Sequence, residues 1–171
     1  MNGPFFMEEN MFEQFMQEWS ERLILHEGMR LMPYRCTRGK LTIGVGRNLE
    51  DNPLTVDEQR ALGDFMHGIT ANGAKMLLRN DMVRCLKLLL RHIKGFDKLT
   101  PDRQYALLDM CFQLGWKGLC QFKKMLAAME KEDFDKAYRE CLYSAYAKQT
   151  PVRARRIARL IRGDDWKEQT K

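Results

Sequence analysis

The chain has little of the residue chemistry that holds metals or closes disulfide frameworks. It carries five cysteines in 171 residues, an odd number, and no two of them stand as C-x-x-C. Zinc-ribbon and dithiol redox patterns are thereby excluded. No metal site is expected, and Cys85, Cys111, Cys120 and Cys141 read as core or half-buried helix residues. Histidine is scarcer still, at three, with no H-E-x-x-H, which removes the zincin pattern. Gly44-x-Gly46 continues as Arg47-Asn48-Leu49, so the dinucleotide fingerprint fails at its third glycine and no cofactor is implied. No stretch approaches the roughly 20 apolar residues of a membrane span. The opening MNGPFFMEENMFEQF has neither the basic region nor the apolar core of a secretory signal. Synthesis in a reducing cytoplasm is the expectation, with something else needed to deliver the protein to any target beyond the membrane.

What is present is a basic, ordinary-sized chain with 44% hydrophobic residues, enough for a packed core without staples. Lys and Arg number 29 against 23 Asp and Glu, a net charge of +6. The charge is uneven: Met1 to Glu27 holds six Glu and one Arg, whereas Ala147 to Arg162 holds six Lys or Arg and no acid. Such a balance favours anionic partners, whether nucleic acid, anionic lipid or an acidic cell-wall polymer. The segment VRARRIARLIR, Val152 to Arg162, has an apolar stripe of Ile157, Leu160 and Ile161 and reads first as a solvated surface helix. An anionic membrane surface is a further candidate partner for it. As a nucleic-acid patch it lacks interleaved aromatics and any known motif, so no nucleic-acid partner is expected.

Periodicity and caps give a coarse map. Phe12, Phe15, Met16, Trp19 and Leu23 form one apolar face of a helix over Met11 to His26, with Gly28 as its stop. Met32 to Val45 reads as a short hairpin or three-stranded meander turning near Arg38-Gly39. Thr55-Val-Asp-Glu58 fits a capping box. Thr70 caps a long helix to about His92. Thr100-Pro101 opens a helix ending near Gln113, before Gly115. Further helices are expected over Cys120 to Glu130 and Asp133 to Ala147. A last one opens with Thr150-Pro151 and closes at Gly163. Met and Phe in the segment before Leu23 would lengthen the first helix and pack, rather than meet a partner.

Glu27 follows the apolar run Leu23-Ile24-Leu25, precedes a glycine, and stands where a helix hands over to a small sheet. On that alone it is an ordinary solvated helix-end charge. The stretch HEGMRLMPYRCTRGKLTIGVGRNL, however, resembles the catalytic segment of the T-even-type phage lysozymes. The pattern of that family is Glu, eight residues, Asp or Cys, five residues and Thr, here Glu27, Cys36 and Thr42. The likeness continues through Ile43-Gly44-Val45-Gly46, Phe112-Gln113-Leu114-Gly115 and Gln149-Thr150-Pro151-x-Arg153-x-x-Arg156, collinear from about Leu23 to Trp166.

The resemblance implies roles residue by residue. Glu27 would be the proton donor to the leaving oxygen, Cys36 and Thr42 would hold the attacking water, and Gly46 would let backbone or sugar come close. Phe112 and Gln113 would form the far wall of a cleft, and Arg153 would stand beside the acid. Arg47 departs from a histidine and Asp81 matches that histidine's acidic partner, so an Arg47–Asp81 ion pair is inferred in its place. His26 replaces an Asp that pairs with the arginine matched by Arg156, so that pair is lost. Cys36 stands where the best-known members have Asp, and a thiol, mostly neutral near pH 7, is expected to assist water rather than form a lasting adduct.

The fold expected is α+β and mostly helical, a two-lobed phage-type lysozyme. Residues 1–26 would be a helical extension, 27–69 a small hairpin lobe, 70–92 a connecting helix and 93–171 a helical lobe, all in one monomeric domain. The resemblance implies hydrolysis of the β-1,4 bond between N-acetylmuramic acid and N-acetylglucosamine in peptidoglycan. It also implies an inverting geometry with the two groups about 6.5–9.5 Å apart. Such a protein would be made in the host cytoplasm and act on the wall after release by a holin. The rival reading is a non-catalytic wall-binding or phage structural module that keeps the fold.

Overall fold

The apolar face of the first segment becomes α1 (Glu9–Glu27) in a computed structural model that describes residues 9–166. Met16, Trp19 and Leu23 are buried along it, and Phe15 stacks on Trp19 with ring centroids 5.7 Å apart. The first eight residues of the expected extension lie outside the described residues, but the rest of it packs. Arg79 donates twice to the Glu13 carboxylate, at 2.9 and 2.6 Å. Ser20 Oγ lies 3.8 Å from Met82 Sδ. The residue after α1, Gly28, donates its N–H to Ile24 O at 2.8 Å and ends the helix there.

The chain then turns into a three-stranded antiparallel sheet in the order β1 (Arg30–Arg35), β2 (Leu41–Gly44), β3 (Arg47–Asn48). Arg30 faces Gly44 and Tyr34 faces Thr42, so the register slips between them. Pro33 lies in that interval and has no N–H to give to a ladder, which suits it to an irregular strand. α2 (Val56–Leu62) starts with the expected capping box: Thr55 and Glu58 each accept the other's backbone N–H. A one-turn 3-10 helix at Phe65–His67 leads to α3 (Ala71–His92), where Thr70 Oγ1 accepts the N–H of Gly73 at 3.0 Å.

The chain divides into two compact units, Met1–Met82 and Val83–Lys171, with the division inside α3. The core of the first is Ile43, Leu54, Ile69, Ala74 and Leu77, flanked by Met29, Leu49, Leu62, Phe65 and Met76. Full burial of each Leu or Ile side chain among them contributes about 1.5–3 kcal/mol.

In the second unit α4 (Pro101–Leu119) is followed by α5 (Lys123–Glu130), α6 (Phe134–Leu142), α7 (Ala145–Gln149) and α8 (Pro151–Arg162). The expected stop before Gly115 is present as a break, since Gly115 takes φ 71°, ψ 166° inside α4, and helical turns resume to Leu119. Only glycine adopts that backbone cheaply. Three expectations need correction. Cys120 belongs to the end of α4, and the next helix begins at Lys123. The single helix expected over 133–147 is two, because Ser144 donates to Cys141 O at 2.6 Å and accepts Ala147 N–H at 3.3 Å, which caps a new helix. Thr150 stands before α8 as expected but makes no cap bond; its hydroxyl donates to Tyr146 O at 3.1 Å. The far end of α8 is satisfied by Arg103, whose guanidinium donates to Ile161 O at 2.9 Å and Arg162 O at 3.0 Å. Tyr105, Leu107, Leu108, Met110, Leu119, Met125, Ile157, Leu160 and Ile161 are almost fully buried.

Candidate active site

Four of the residues singled out in the sequence come together in the first unit. Glu27 is the last residue of α1 and is half-buried. The turn between β2 and β3 lies against its carboxyl: a Cβ at Gly46 would stand 3.5 Å from Glu27 Oε2 and 3.8 Å from its Cδ. Gly46 is also at φ +70°, a backbone that favours glycine, and any side chain placed there would lie in contact with the acid.

Cys36 heads the turn between β1 and β2. Its N–H donates to Lys40 O at 2.9 Å and its carbonyl accepts from Gly39 N–H at 2.8 Å. The turn folds backbone donors over the sulfur. The thiol is held below its ordinary value, foremost by a hydrogen bond from the backbone at Arg38. Burial opposes this, and the backbone of Lys40, the side chain of Thr42 and the charge of Arg38 add to it. Thr42 is buried on β2, and its hydroxyl lies 3.0 Å from Lys40 O. A hydroxyl has one proton to give. Here that proton goes to the Lys40 carbonyl.

Sequence reasoning missed Tyr34, which it took as a strand residue. Tyr34 is half-buried on β1, and the Arg30 guanidinium carbon sits 4.4 Å from its ring centroid. Its phenol is raised by burial, with Arg30 opposing and the charges of Glu27 and Cys36 adding to the rise. Tyr34 is thus within electrostatic reach of both. A tyrosine at a strand position with polar neighbours gives no signal of this in one sequence.

Beneath the sheet the inferred Arg47–Asp81 pair is present at 2.7 Å, and a second acid joins it: Glu58 Oε2 lies 2.8 Å from Arg47 Nη2. The Arg47 and Glu58 side chains are only 1% and 2% exposed. Arg47 also donates to Asn52 O and Pro53 O, while Asn80 and Asn52 donate to Glu58 and Asp81. Burial acts to raise the Glu58 carboxyl, but the Thr55 backbone, Asn80 and Arg47 together hold it below its ordinary value. Burial draws Arg47 downward, offset in part by Glu58, and a guanidinium remains charged throughout.

The other predicted residues lie in the second unit. Phe112 and Gln113 are half-buried in the last turn of α4 before the Gly115 break. Arg153 on α8 donates from Nε to Asp109 Oδ1 at 2.8 Å, and Asp109 is fully buried. Tyr105 gives its hydroxyl proton to the other carboxylate oxygen at 3.0 Å. Among the described residues, Gln113 Oε1 and Tyr146 Oη are buried with no hydrogen-bond partner. Burial, with the Asp109 charge adding and Arg153 opposing, pushes the Tyr146 phenol up. Asp109, Tyr105 and Tyr146 carried no motif, so only the packing of α4, α7 and α8 revealed them.

The model of the phage lysozyme family matches residues 25–159. The chain belongs to the phage lysozyme family. The pre-baseplate central spike protein of Enterobacteria phage T4 is 33% identical to it over 159 residues, which cover 83% of this chain and 27% of the spike protein. Two proteins of Dictyostelium discoideum are also similar. "Probable T4-type lysozyme 2" is 27% identical, over 83% of this chain and 92% of its own length. "Probable T4-type lysozyme 1" is 26% identical, over 79% and 88%. The chain therefore spans about a quarter of the spike protein and nearly all of the other two. Mostly helical, with one small antiparallel sheet, it has the fold expected of this family.

Proposed function

We propose that this member of the family is a muramidase, hydrolysing the β-1,4 bond between N-acetylmuramic acid and N-acetylglucosamine in peptidoglycan. One observation carries the reading: a half-buried acid at the end of α1 shares the first unit with a thiol cradled by backbone donors and Thr42. In this reading Glu27 gives its proton to the leaving glycosidic oxygen. Cys36 and Thr42 orient the water that attacks the sugar carbon from the opposite face, which inverts the anomeric centre. A neutral thiol supplies no fixed charge. The donors around Cys36 raise the thiolate share and recover part of what a carboxylate would give. The attacking water passes its proton to the thiolate, and sulfur forms no bond to sugar.

Gly46 keeps the approach to Glu27 open, and Phe112, Gln113 and Arg153 form the substrate wall. The exposed arginines of α8, Arg155, Arg159 and Arg162, favour retention on an anionic wall or membrane surface. Release from the host cytoplasm by a holin-type pore belongs to the same proposal.

The likeness to the spike protein favours a second reading, a structural module of a virion that keeps the fold. Chromatography of purified peptidoglycan after incubation separates the two. Muropeptides with new N-acetylmuramic acid reducing ends, released first as the inverted anomer by NMR, support the muramidase. Intact peptidoglycan after exposure to folded protein across a broad pH range supports the module. A glycosyl adduct on Cys36 by mass spectrometry would overturn the role given to water.

A further inference from the structure

Arg153 differs from its neighbours on α8 in what lies behind it. Arg155 and Arg162 make exposed contacts, with Pro151 O at 3.2 Å and with Asp164 at 2.8 Å. Arg153 reaches inward instead: its side chain is 11% exposed, and the Asp109 carboxylate that accepts from Nε at 2.8 Å is 0% exposed. Asp109 is held from its other side as well, because Tyr105 donates to Oδ2 at 3.0 Å. Tyr105 is fully buried, and its ring meets Trp166 edge-on with centroids 5.6 Å apart. Tyr105, Asp109 and Gln113 recur every four residues on α4, so they share one face of that helix. Trp166, Tyr105 and Asp109 thus form a line of buried groups that ends at the Arg153 guanidinium, on the helix face that Gln113 continues.

We propose that Asp109 is a positioning residue: acting through Arg153, it sets how tightly the second unit holds the carboxylate-bearing groups of a cell-wall fragment. The inference rests on the muramidase reading for the identity of that ligand and for the place of Arg153 in the substrate wall. Stability alone does not account for the pair. Taking two charges out of water offsets most of their mutual attraction, and apolar side chains of similar volume often stabilise a core as well or better. A buried carboxylate with both oxygens engaged does supply a fixed direction.

Direction matters for this side chain. Arginine has several rotatable bonds to order when it meets a ligand, and one that is already held loses less freedom on binding. Its planar guanidinium suits carboxylates, which it meets through parallel N–H bonds. Asp109 touches no ligand in this account. Its effect passes entirely through Arg153, so it should vanish when Arg153 is replaced. A merely structural Asp109 would act the same with or without Arg153.

The test is a double-mutant cycle on the full chain, read as the Kd for soluble peptidoglycan fragments that carry their peptide stems. Every protein also carries Glu27→Gln, so that the probe stays intact, and binding is measured by calorimetry below each thermal midpoint. Losing the charge-assisted acceptor in Asp109→Leu should weaken binding about tenfold. Asp109→Asn keeps a neutral acceptor for Arg153 and should weaken binding about threefold, since a neutral hydrogen bond is roughly half as strong. With Arg153→Met present, neither change at Asp109 should alter the Kd further. The Asn variant decides the matter if the Leu variant does not fold. Wild-type affinity in the folded Asp109 variants, equal weakening with and without Arg153, or no binding of the fragments by the parent protein would overturn the proposal. Cleavage of peptidoglycan by the wild type reports on the muramidase reading separately: binding that follows the cycle without cleavage would sink that reading and leave the role of Asp109 standing.

Discussion

Replacing Arg47 by Met should be among the most damaging single changes in the first unit, although Arg47 takes no part in the proposed chemistry. The guanidinium is 1% exposed and contacts Glu58 at 2.8 Å and Asp81 at 2.7 Å, in a site where the acids are themselves 2% and 9% exposed. Met fills much of the volume but leaves two carboxylates without the cation between them. Removing one partner of a buried ion pair costs about 3–5 kcal/mol. Part of the loss is softened, because Glu58 keeps Thr55 N–H and Asn80, and Asp81 keeps Asn52.

For a chain of this length each kcal/mol moves the thermal midpoint by roughly 2–4 °C, so a fall of about 6–20 °C is expected. The triple change Arg47→Met, Glu58→Met, Asp81→Leu removes the charges together and should recover most of that loss. The acid limb carries a second signature. Glu58 is held below its ordinary value of 4.5. Its contribution is therefore complete above that value and is lost as the pH falls through the lowered, folded-state one. Without Arg47 the lowering shrinks and stability depends less on pH in that window. Circular dichroism melts at neutral and acid pH measure both. An Arg47→Met protein within about 1 kcal/mol of wild type, or a triple variant worse than the single one, would refute the reasoning.

Other expectations can be checked with the same proteins and substrate. Gly46→Ala places a methyl 3.5 Å from Glu27 Oε2 at a φ of +70°; it should lower stability by about 1 kcal/mol, seen in denaturant titration, and reduce clearing of cell walls by more than that loss explains. Cys36→Asp should extend activity to lower pH in a rate profile. The wild type gains thiolate only as pH rises toward a value lowered by the Arg38 and Lys40 backbone, Thr42 and the Arg38 charge, with Tyr34 the titratable group nearby. Asp109→Ala removes the buried partner of Arg153 and leaves Tyr105 without its acceptor; a destabilisation of about 3–5 kcal/mol is expected in urea titration. Thr55→Ala should cost about 1 kcal/mol, as lost caps do, whereas Thr150→Ala should cost less, because Thr150 makes no cap bond.

Local rules carried much of the fold. The capping box at Thr55, the Pro at the start of α4 and α8, and the apolar spacing of α1 each name a boundary from residues a few positions apart, and the structure has those elements. Where the pattern misled, a side chain had two uses. Ser144 looks like a helix-interior serine and is a cap; Thr150 looks like a cap and bonds backward. Glu58 was legible as a capping residue, but nothing in its local spacing tells that the same carboxylate reaches Arg47. The Arg47–Asp81 pair was inferred only because a single departure from the family pattern, Arg47, kept a positive charge opposite an acid that matches it.

The candidate site was legible as far as the motif extends: Glu27, Cys36, Thr42 and Gly46 are read from one short stretch, and that stretch folds them together. Asp109 behind Arg153 is a contact between helices that the sequence separates without a marker. Packing alone makes them neighbours.

The most direct test of the central claim is loss of turbidity of permeabilised Gram-negative cells, comparing wild type with Glu27→Gln, Cys36→Ala and Cys36→Asp. The account predicts clearing by the wild type, none by a folded Glu27→Gln, partial loss in Cys36→Ala and retained clearing in Cys36→Asp. A Glu27→Gln protein that clears cells as the wild type does, or a folded wild type that clears none, would contradict it.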